Sequence, residues 1–183
     1  KGAKRPFSQL RGVLHTFQPL RLGWSGKGEI KTLIQAEWVA GLLPLEREAL
    51  ISGYYLNELV LKLLLRDEPQ VELFERYLIC LTSLAQGMET NQVLRQFELQ
   101  LLKAAGLLGD ISWCEQTQAR VQDNQYYVCD PAAGIRLAHT EEFLPKVSGK
   151  TLLNLVQARL NDAQTLQESK LLMRYLLSYH LHG

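Results

Sequence analysis

The chain has 183 residues, of which 46% are hydrophobic and 21% charged, and its formal net charge is +1. This composition is typical of a soluble globular protein of one or two domains, and no apolar run reaches the roughly 18 residues that a membrane span needs. The three cysteines are too few for a disulfide framework, so we expect reduced thiols. The first residue is not Met, and we expect the chain to be part of a longer protein.

Charge is distributed unevenly along the chain. Residues 1–40 contain seven basic and two acidic residues, a net charge of +5, which leaves −4 for the remainder. A basic segment joined to an acidic one indicates a surface that faces a polyanion, or alternatively a solvated strand surface without a partner. Charge alone favours neither.

A β-hairpin is predicted after a basic, turn-rich N-terminal segment. Residues 13–23 contain β-type patches, residues 25–28 form a tight-turn signal, and a second strand is expected over residues 29–39. The apolar residues that alternate along the two strands are Leu20, Leu22, Trp24, Ile30 and Ile34. Two strands alone cannot bury a core, so either further strands precede Lys1 or the hairpin packs on the segment that follows.

Helical periodicity dominates the rest of the chain. Pro44, with acidic residues just after it, predicts the start of a helix that ends near residues 66–69, and a second helix is predicted over residues 71–85. A third, over residues 92–107, is apolar on almost every side, and Gly106 or Gly109 offers a left-handed end. We interpret it as the central rod of a helical bundle. Residues 110–140 predict a small β-hairpin, and a last helix covers residues 162–181.

The string Ser148-Gly149-Lys150-Thr151 resembles the end of a phosphate-binding loop. That loop needs a glycine where Leu144 stands and a preceding strand, which Pro145 interrupts. We therefore predict that Ser148 is the N-cap of a helix.

Metal and catalytic patterns are weak in this sequence. A structural zinc site needs four ligands, commonly from paired Cys-x-x-Cys knuckles, and Cys114 and Cys129 each lack the second cysteine. Even when His139, the nearest histidine, is included, the set of zinc ligands is incomplete. We therefore predict buried free thiols and no bound zinc or other cofactor. The histidines and acids form no nucleophile or paired-carboxylate pattern, which argues against an enzyme.

Aromatic residues lie among the basic residues of the N-terminal segment. Basic side chains neutralise phosphates and exposed rings stack on unpaired bases, the combination that oligonucleotide-binding barrels use. The aromatic residues are Phe7, Phe17 and Trp24. For Phe17 and Trp24 we favour core packing, because both lie within β-type patterning.

Several segments, in order, resemble the RecO family of recombination mediator proteins. They are Lys1-Gly-Ala-Lys-Arg, Leu10-Arg-Gly-Val-Leu, Gly26-Lys-Gly-Glu-Ile-Lys-Thr-Leu, Tyr54-Tyr-Leu-Asn-Glu-Leu, Leu73-Phe-Glu-Arg-Tyr-Leu and Leu94-Arg-Gln-Phe-Glu-Leu-Gln-Leu-Leu. The resemblance implies an α+β fold. Residues 1–40 would form an oligonucleotide-binding (OB) β-barrel that lacks its first strands here, and residues 41–183 an α-helical domain with a small β insertion at residues 110–140. The insertion binds zinc in some members, and this chain resembles the branch without the metal.

The resemblance also implies a function. Such proteins are bacterial, cytoplasmic and nucleoid-associated, with no membrane partner. They bind single- and double-stranded DNA, anneal strands coated with the single-stranded-DNA-binding protein, and with RecR help to load RecA. The cations expected to bind DNA are Lys1, Lys4, Arg5, Arg11, Lys27 and Lys31.

Members of the family also dock on the acidic, Phe-terminated tail of the coating protein. An apolar pocket rimmed by cations suits such a tail, and we expect it at Arg95, with Lys103, Lys170 and Arg174 nearby. The alternative for Arg95 is an intramolecular pair with Glu58 or Glu98. Two other functions stay open from the sequence: a protein–protein adaptor that does not bind DNA, and an enzyme whose site lies in a cleft between the two units.

Overall fold

The computed structural model describes residues 8–39, 41 and 44–182, and within them the chain has an α+β fold. The helices are α1 (Arg47–Leu63), α2 (Val71–Ala85), α3 (Thr90–Ala104), α4 (Gly149–Val156) and α5 (Ala163–His182). The strands are β1 (Leu20–Ser25), β2 (Thr32–Trp38), β3 (Trp113–Cys114), β4 (Ala119–Arg120), β5 (Tyr126–Asp130), β6 (Gly134–Leu137) and β7 (Val147–Ser148). A 3₁₀-helix over Gln9–Gly12 precedes β1.

Helix α3 is the centre of the helical domain and packs against each of the other four helices. Its buried apolar side chains are Phe97, Leu99, Leu101 and Leu102. The helix ends where Gly106 adopts φ +69°, a left-handed conformation that glycine tolerates, and the amide of Leu107 donates to the carbonyl of Leu102 at 2.9 Å. The predicted central rod and its glycine stop are therefore confirmed.

The β insertion is larger than the predicted hairpin. Strands β5 and β6 pair antiparallel, with Cys129 opposite Ile135, and β7 pairs with the other edge of β5 to make three strands. Asp130 holds the turn, because its carboxylate accepts hydrogen bonds from the amides of Ala132 and Ala133. Strands β3 and β4 form a separate short pair. The insertion contributes Ile111, Cys114, Val121, Tyr127, Cys129, Ile135 and Val147 to the main hydrophobic core.

The N-terminal hairpin differs from the prediction in its turn and in its burial. Strands β1 and β2 pair antiparallel with a bulge between Gly23 and Trp24, but the connection covers residues 26–31 rather than a tight turn at 25–28. Ile30 lies in that loop and is 92% exposed, and Ile34 on β2 is also exposed. The described residues thus form a partial OB-like β unit in which the face predicted to be buried is open to solvent.

Phe17 joins the hairpin to the helical domain. Its ring packs edge-on against Tyr54, with centroids 5.2 Å apart, and touches the main core. A Cβ at Gly53 would come within 2.9 Å of Phe17 Cζ, so the glycine on α1 is what lets the ring approach the helix. Core packing of Phe17 is therefore confirmed. The predicted domain boundary at residues 40/41 lies beside residues 40, 42 and 43, which are outside the described residues.

Candidate functional site

Two of the predicted DNA-binding cations share the loop at one end of the hairpin, and a third lies outside that loop. Lys27 and Lys31 both lie in the loop between β1 and β2, and Arg11 is exposed in the 3₁₀-helix. Arg21, also exposed, stands opposite Glu37 in the β1–β2 register, so its charge is partly offset. The other predicted DNA-binding cations, Lys1, Lys4 and Arg5, lie outside the described residues, as does Phe7.

Trp24 lies near the same end of the hairpin, and 61% of its surface is exposed. The prediction that Trp24 packs in a core is wrong. The bulge at Gly23/Trp24 redirects the strand, and the described part of the chain contains no further strand paired with β1 or β2 to cover this face. An exposed tryptophan beside Lys27 and Lys31 offers a stacking surface within reach of phosphate-binding charges.

Arg95 is buried in an intramolecular ion pair. Only 7% of its surface is exposed, and its Nη2 donates to Oε1 of Glu98 at 2.5 Å. The Tyr55 hydroxyl donates to the same oxygen at 2.6 Å, and Glu98 is fully buried. Burial raises the pKa of Glu98, and the charge of Arg95 acts in the opposite direction. The other suggested partner, Glu58, instead pairs with Lys62 at 2.7 Å.

This pairing corrects the prediction of a tail-binding site centred on Arg95. Lys103 is eight residues further along α3, which places it about 12 Å away along the axis, so the two cannot hold one carboxylate together. Lys103 lies near Asp110, whose pKa is lowered mainly by hydrogen bonds from Ser112. Lys170 and Arg174 are exposed, one turn apart on α5. The four cations do not form one group around Arg95.

Two apolar depressions lie on either side of α2. The α2–α3 cleft has a volume of about 290 Å³, and the α1–α2 groove one of about 540 Å³. The cleft is lined by the apolar side chains of Ile79, Met88, Val93, Phe97 and Leu160, and its polar residues include Arg76, Ser83 and three glutamines. None of the four predicted tail-binding cations lines either depression. Arg76 was not predicted from the sequence as a binding residue. The available signal was its position directly before Tyr77, which belongs to the apolar stripe of α2.

The three cysteines are buried free thiols, as predicted. Burial raises the pKa of Cys80 and of Cys129 to about 12, which disfavours the thiolate that zinc requires. Within the described residues, no group of three or more His, Cys, Asp and Glu side chains could hold a metal ion. His139 is exposed on the loop after β6. The residues of the β insertion therefore do not fit a zinc site. None of the described helices is long and apolar enough to cross a membrane.

Ser148 is the N-cap of α4, and this prediction is confirmed. Its hydroxyl oxygen accepts a hydrogen bond from the amide of Thr151 at 3.2 Å. The amide of Gly149 donates to the carbonyl of Gln125 at 2.8 Å, so it is already occupied by the backbone of the β insertion. A Cβ at Gly149 would lie 1.9 Å from the carbonyl oxygen of Gln122. Gly149 therefore permits a close contact between backbone segments and does not form part of a phosphate-binding loop.

Comparison with known proteins identifies close relatives. A family model described as "Recombination protein O C terminal" matches residues 44–183. The DNA repair protein RecO of Burkholderia lata is 49% identical over all of this chain and 66% of its own length. The proteins of the same description from Burkholderia pseudomallei and Cupriavidus metallidurans are 48% and 45% identical, with 67% and 62% of their lengths covered. The chain thus spans about two thirds of the length of these relatives.

Proposed function

Because the chain belongs to the RecO family of DNA repair proteins, we propose that it acts as a DNA-binding recombination mediator. In this role it anneals complementary strands coated with the single-stranded-DNA-binding protein and, with RecR, helps to load RecA. The proposal includes binding to single- and double-stranded DNA through the hairpin and to the coating protein's tail through the helical domain. It involves no catalysis.

The observation that carries DNA binding is the cationic loop end of the hairpin. Lys27 and Lys31 project from one loop, and Trp24 is exposed close by. Lysines on a solvated loop bind phosphates by releasing counterions, and an exposed ring can stack on an unpaired base. Arg11 and the upstream cations Lys1, Lys4 and Arg5 extend the same basic segment in sequence.

For the acidic, Phe-terminated tail we propose the α2–α3 cleft. A terminal ring needs an apolar depression, which Ile79, Val93 and Phe97 supply, and a carboxylate needs a cation at the rim, which Arg76 supplies. The side-chain amides of Gln92 and Gln100 can form hydrogen bonds with peptide groups of the tail. Lys103, Lys170 and Arg174 remain proposed as longer-range attraction for the acidic tail.

A second candidate function is a protein–protein adaptor that works without DNA. The observation in its favour is the α1–α2 groove, next to which Leu61 is 82% exposed and Phe74 56% exposed. Exposed apolar side chains that line a groove are typical of a surface that binds another protein. In this function the hairpin cations would be solvated surface.

A salt titration of DNA binding separates the two functions. We expect the affinity for a labelled single strand to fall steeply with salt concentration, and the variant Lys27→Ala/Lys31→Ala to flatten the log–log slope by about 1.4. The matched control, Lys62→Ala/Arg66→Ala, removes the same charge at the far end of α1 and should leave the slope unchanged.

The same design tests the upstream cations. Removal of Lys4 and Arg5 should flatten the slope by about one to two units. If the chain binds no DNA at low salt, or if the hairpin variant and the α1 control behave alike, the mediator function is wrong and the adaptor function is favoured.

A further inference from the structure

A crevice of about 410 Å³ lies between the N-terminal hairpin and helix α1, away from the loop that holds Lys27 and Lys31. Aromatic side chains from three separate segments line it: His15 and Phe17 before β1, Trp38 at the end of β2, and Tyr54 on α1. Its volume falls within the roughly 300–1,000 Å³ range of small-molecule clefts.

The rings of this crevice are held in place by specific contacts. Trp38 Nε1 donates to the carbonyl of Val13 at 2.8 Å, which fixes the edge of the indole. His15 and Trp38 have ring centroids 6.0 Å apart, and Phe17 and Tyr54 meet edge to face. A ligand that enters between these rings would meet a preformed surface, so little conformational entropy is lost on binding.

Phe17 adopts a backbone conformation that is unusual for its residue type. Its φ of +63° is in the left-handed region, which a bulky non-glycine residue rarely occupies. Strain of this kind persists where surrounding packing enforces it and is concentrated at binding sites. Here the packing against Gly53 and Tyr54 enforces it, and the turned backbone directs the ring to the floor of the crevice.

The two largest rings are too exposed to be core residues. Trp38 is 57% exposed and Tyr54 is 54% exposed, although both line a concave surface. Arg11 lies in the 3₁₀-helix just before His15, and residues 1–40 carry a net charge of +5. An aromatic crevice at the end of a basic segment matches a ligand that combines a planar ring with a negatively charged backbone.

From this combination we propose that the crevice binds an unpaired nucleobase of single-stranded DNA, stacked on Trp38, with the adjoining phosphate near Arg11. The inference rests on the proposed DNA binding and adds a site that recognises single strands. The bases of a duplex are already stacked on their neighbours, so their faces cannot enter the crevice. Single strands offer the faces freely, and stacking on aromatic side chains tolerates any base.

The first test compares a thymidine oligonucleotide with a duplex of the same length at one salt concentration. Trp38→Ala should weaken single-strand binding by about 5- to 100-fold and affect duplex binding much less, whereas Trp38→Phe should recover most of the loss. Thermal unfolding of both variants checks that the hairpin still folds, since Trp38 also bonds to Val13. Equal single-strand affinity of the folded Trp38→Ala protein and the unchanged chain would overturn the proposal.

A second test does not depend on removing Trp38. The chain has three tryptophans, and in the variant Trp24→Phe/Trp113→Phe only Trp38 remains. Its fluorescence therefore reports on the crevice. The thymidine oligonucleotide should quench this emission, and an abasic oligonucleotide of equal charge should not. DNA binding without any quenching would overturn the crevice and leave the proposed function standing. Failure to bind either oligonucleotide or duplex would overturn both.

Discussion

The guanidinium of Arg95 and the carboxylate of Glu98 form an ion pair across one turn of α3, inside the helical domain. Glu98 Oε1 also accepts the hydroxyl of Tyr55, which lies 43 residues earlier on α1. The pair therefore ties the central helix to α1. Arg95 Nε and Glu98 Oε2 are buried without a hydrogen-bond partner, so the cluster is only partly satisfied.

Breaking this pair should destabilise the protein. Arg95→Ala leaves the Glu98 carboxyl buried without its cation and should cost about 3–5 kcal/mol in the free energy of unfolding, measured with urea. The double variant Arg95→Met/Glu98→Leu should cost much less than the sum of the single changes, because it leaves no unpaired charge. An Arg95→Ala protein of unchanged stability that had lost tail binding alone would contradict this structural role and restore the original prediction for Arg95.

Binding of the acidic tail can be assigned to one depression by two matched variants. Ile79 is 59% exposed and lines the α2–α3 cleft, and Leu61 is 82% exposed and lines the α1–α2 groove. Ile79→Glu should weaken binding of a labelled acidic peptide that ends in Phe by at least about tenfold, because it adds a like charge and removes apolar contact. Leu61→Glu should have no effect in the same fluorescence-anisotropy assay. The reverse result would move the docking site to the groove.

Arg76 should contribute less than the apolar floor of the cleft. It is exposed on α2, where a single ion pair with a carboxylate is screened by solvent. We expect Arg76→Ala to weaken peptide binding by about two- to fivefold and to reduce its dependence on salt. An effect larger than that of Ile79→Glu would mean that charge, and not apolar burial, dominates docking.

Gly149 should tolerate no side chain. A methyl group there would clash with the carbonyl of Gln122 at 1.9 Å, and a backbone atom cannot move aside as the end of a flexible side chain can. We expect Gly149→Ala to cost at least about 3 kcal/mol through strain at the junction of the β insertion and α4. Gly109→Ala is the control, because a Cβ there meets no atom within 4 Å and should be close to neutral. Thermal unfolding of the two variants provides the comparison.

Glu168 should make stability depend on pH in the acidic range. Its Oε2 accepts hydrogen bonds from the Ser148 amide, the Ser148 hydroxyl and the Thr151 hydroxyl at 2.7–2.9 Å, linking α5 to the N-terminus of α4. Partial burial acts to raise the pKa of Glu168, but the hydrogen bonds from Thr151, Gln164 and Ser148 outweigh it and lower that pKa below 4.5.

Because the folded-state pKa is lowered, the folded protein holds the proton less tightly than the unfolded chain. The contribution of Glu168 is therefore fully present above the unfolded pKa and is lost as the pH falls through the folded one. Glu168→Gln should cost about 1–2 kcal/mol at pH 7, allowing for solvent screening, and less at pH 3. Urea unfolding at both values measures this difference. An equal cost at both would show that the charge is irrelevant and that the amide merely fits poorly.

Much of the helical domain was predictable because a helix can be recognised from the spacing of apolar residues within a short segment. The apolar spacing of residues 71–85 matches α2 as found, and the serine at position 148 caps α4 through an atom only three residues away. The left-handed Gly106 ends α3 as predicted. The hairpin was recovered less well, because a strand's exposure depends on which other strands cover it. Trp24 and Ile34 show the expected alternation and are nevertheless exposed.

The sequence by itself determined the family, the position of the helices and the basic character of the first 40 residues, because each is encoded in residue type and short-range spacing. The tertiary structure alone decided that Tyr55 joins the pair of Arg95 and Glu98, that Arg76 borders the apolar cleft, and that four aromatic rings meet beside α1. The physical reason is that a charge or a ring takes its role from what surrounds it. Those surroundings come from segments far apart in the chain, and no local period records them.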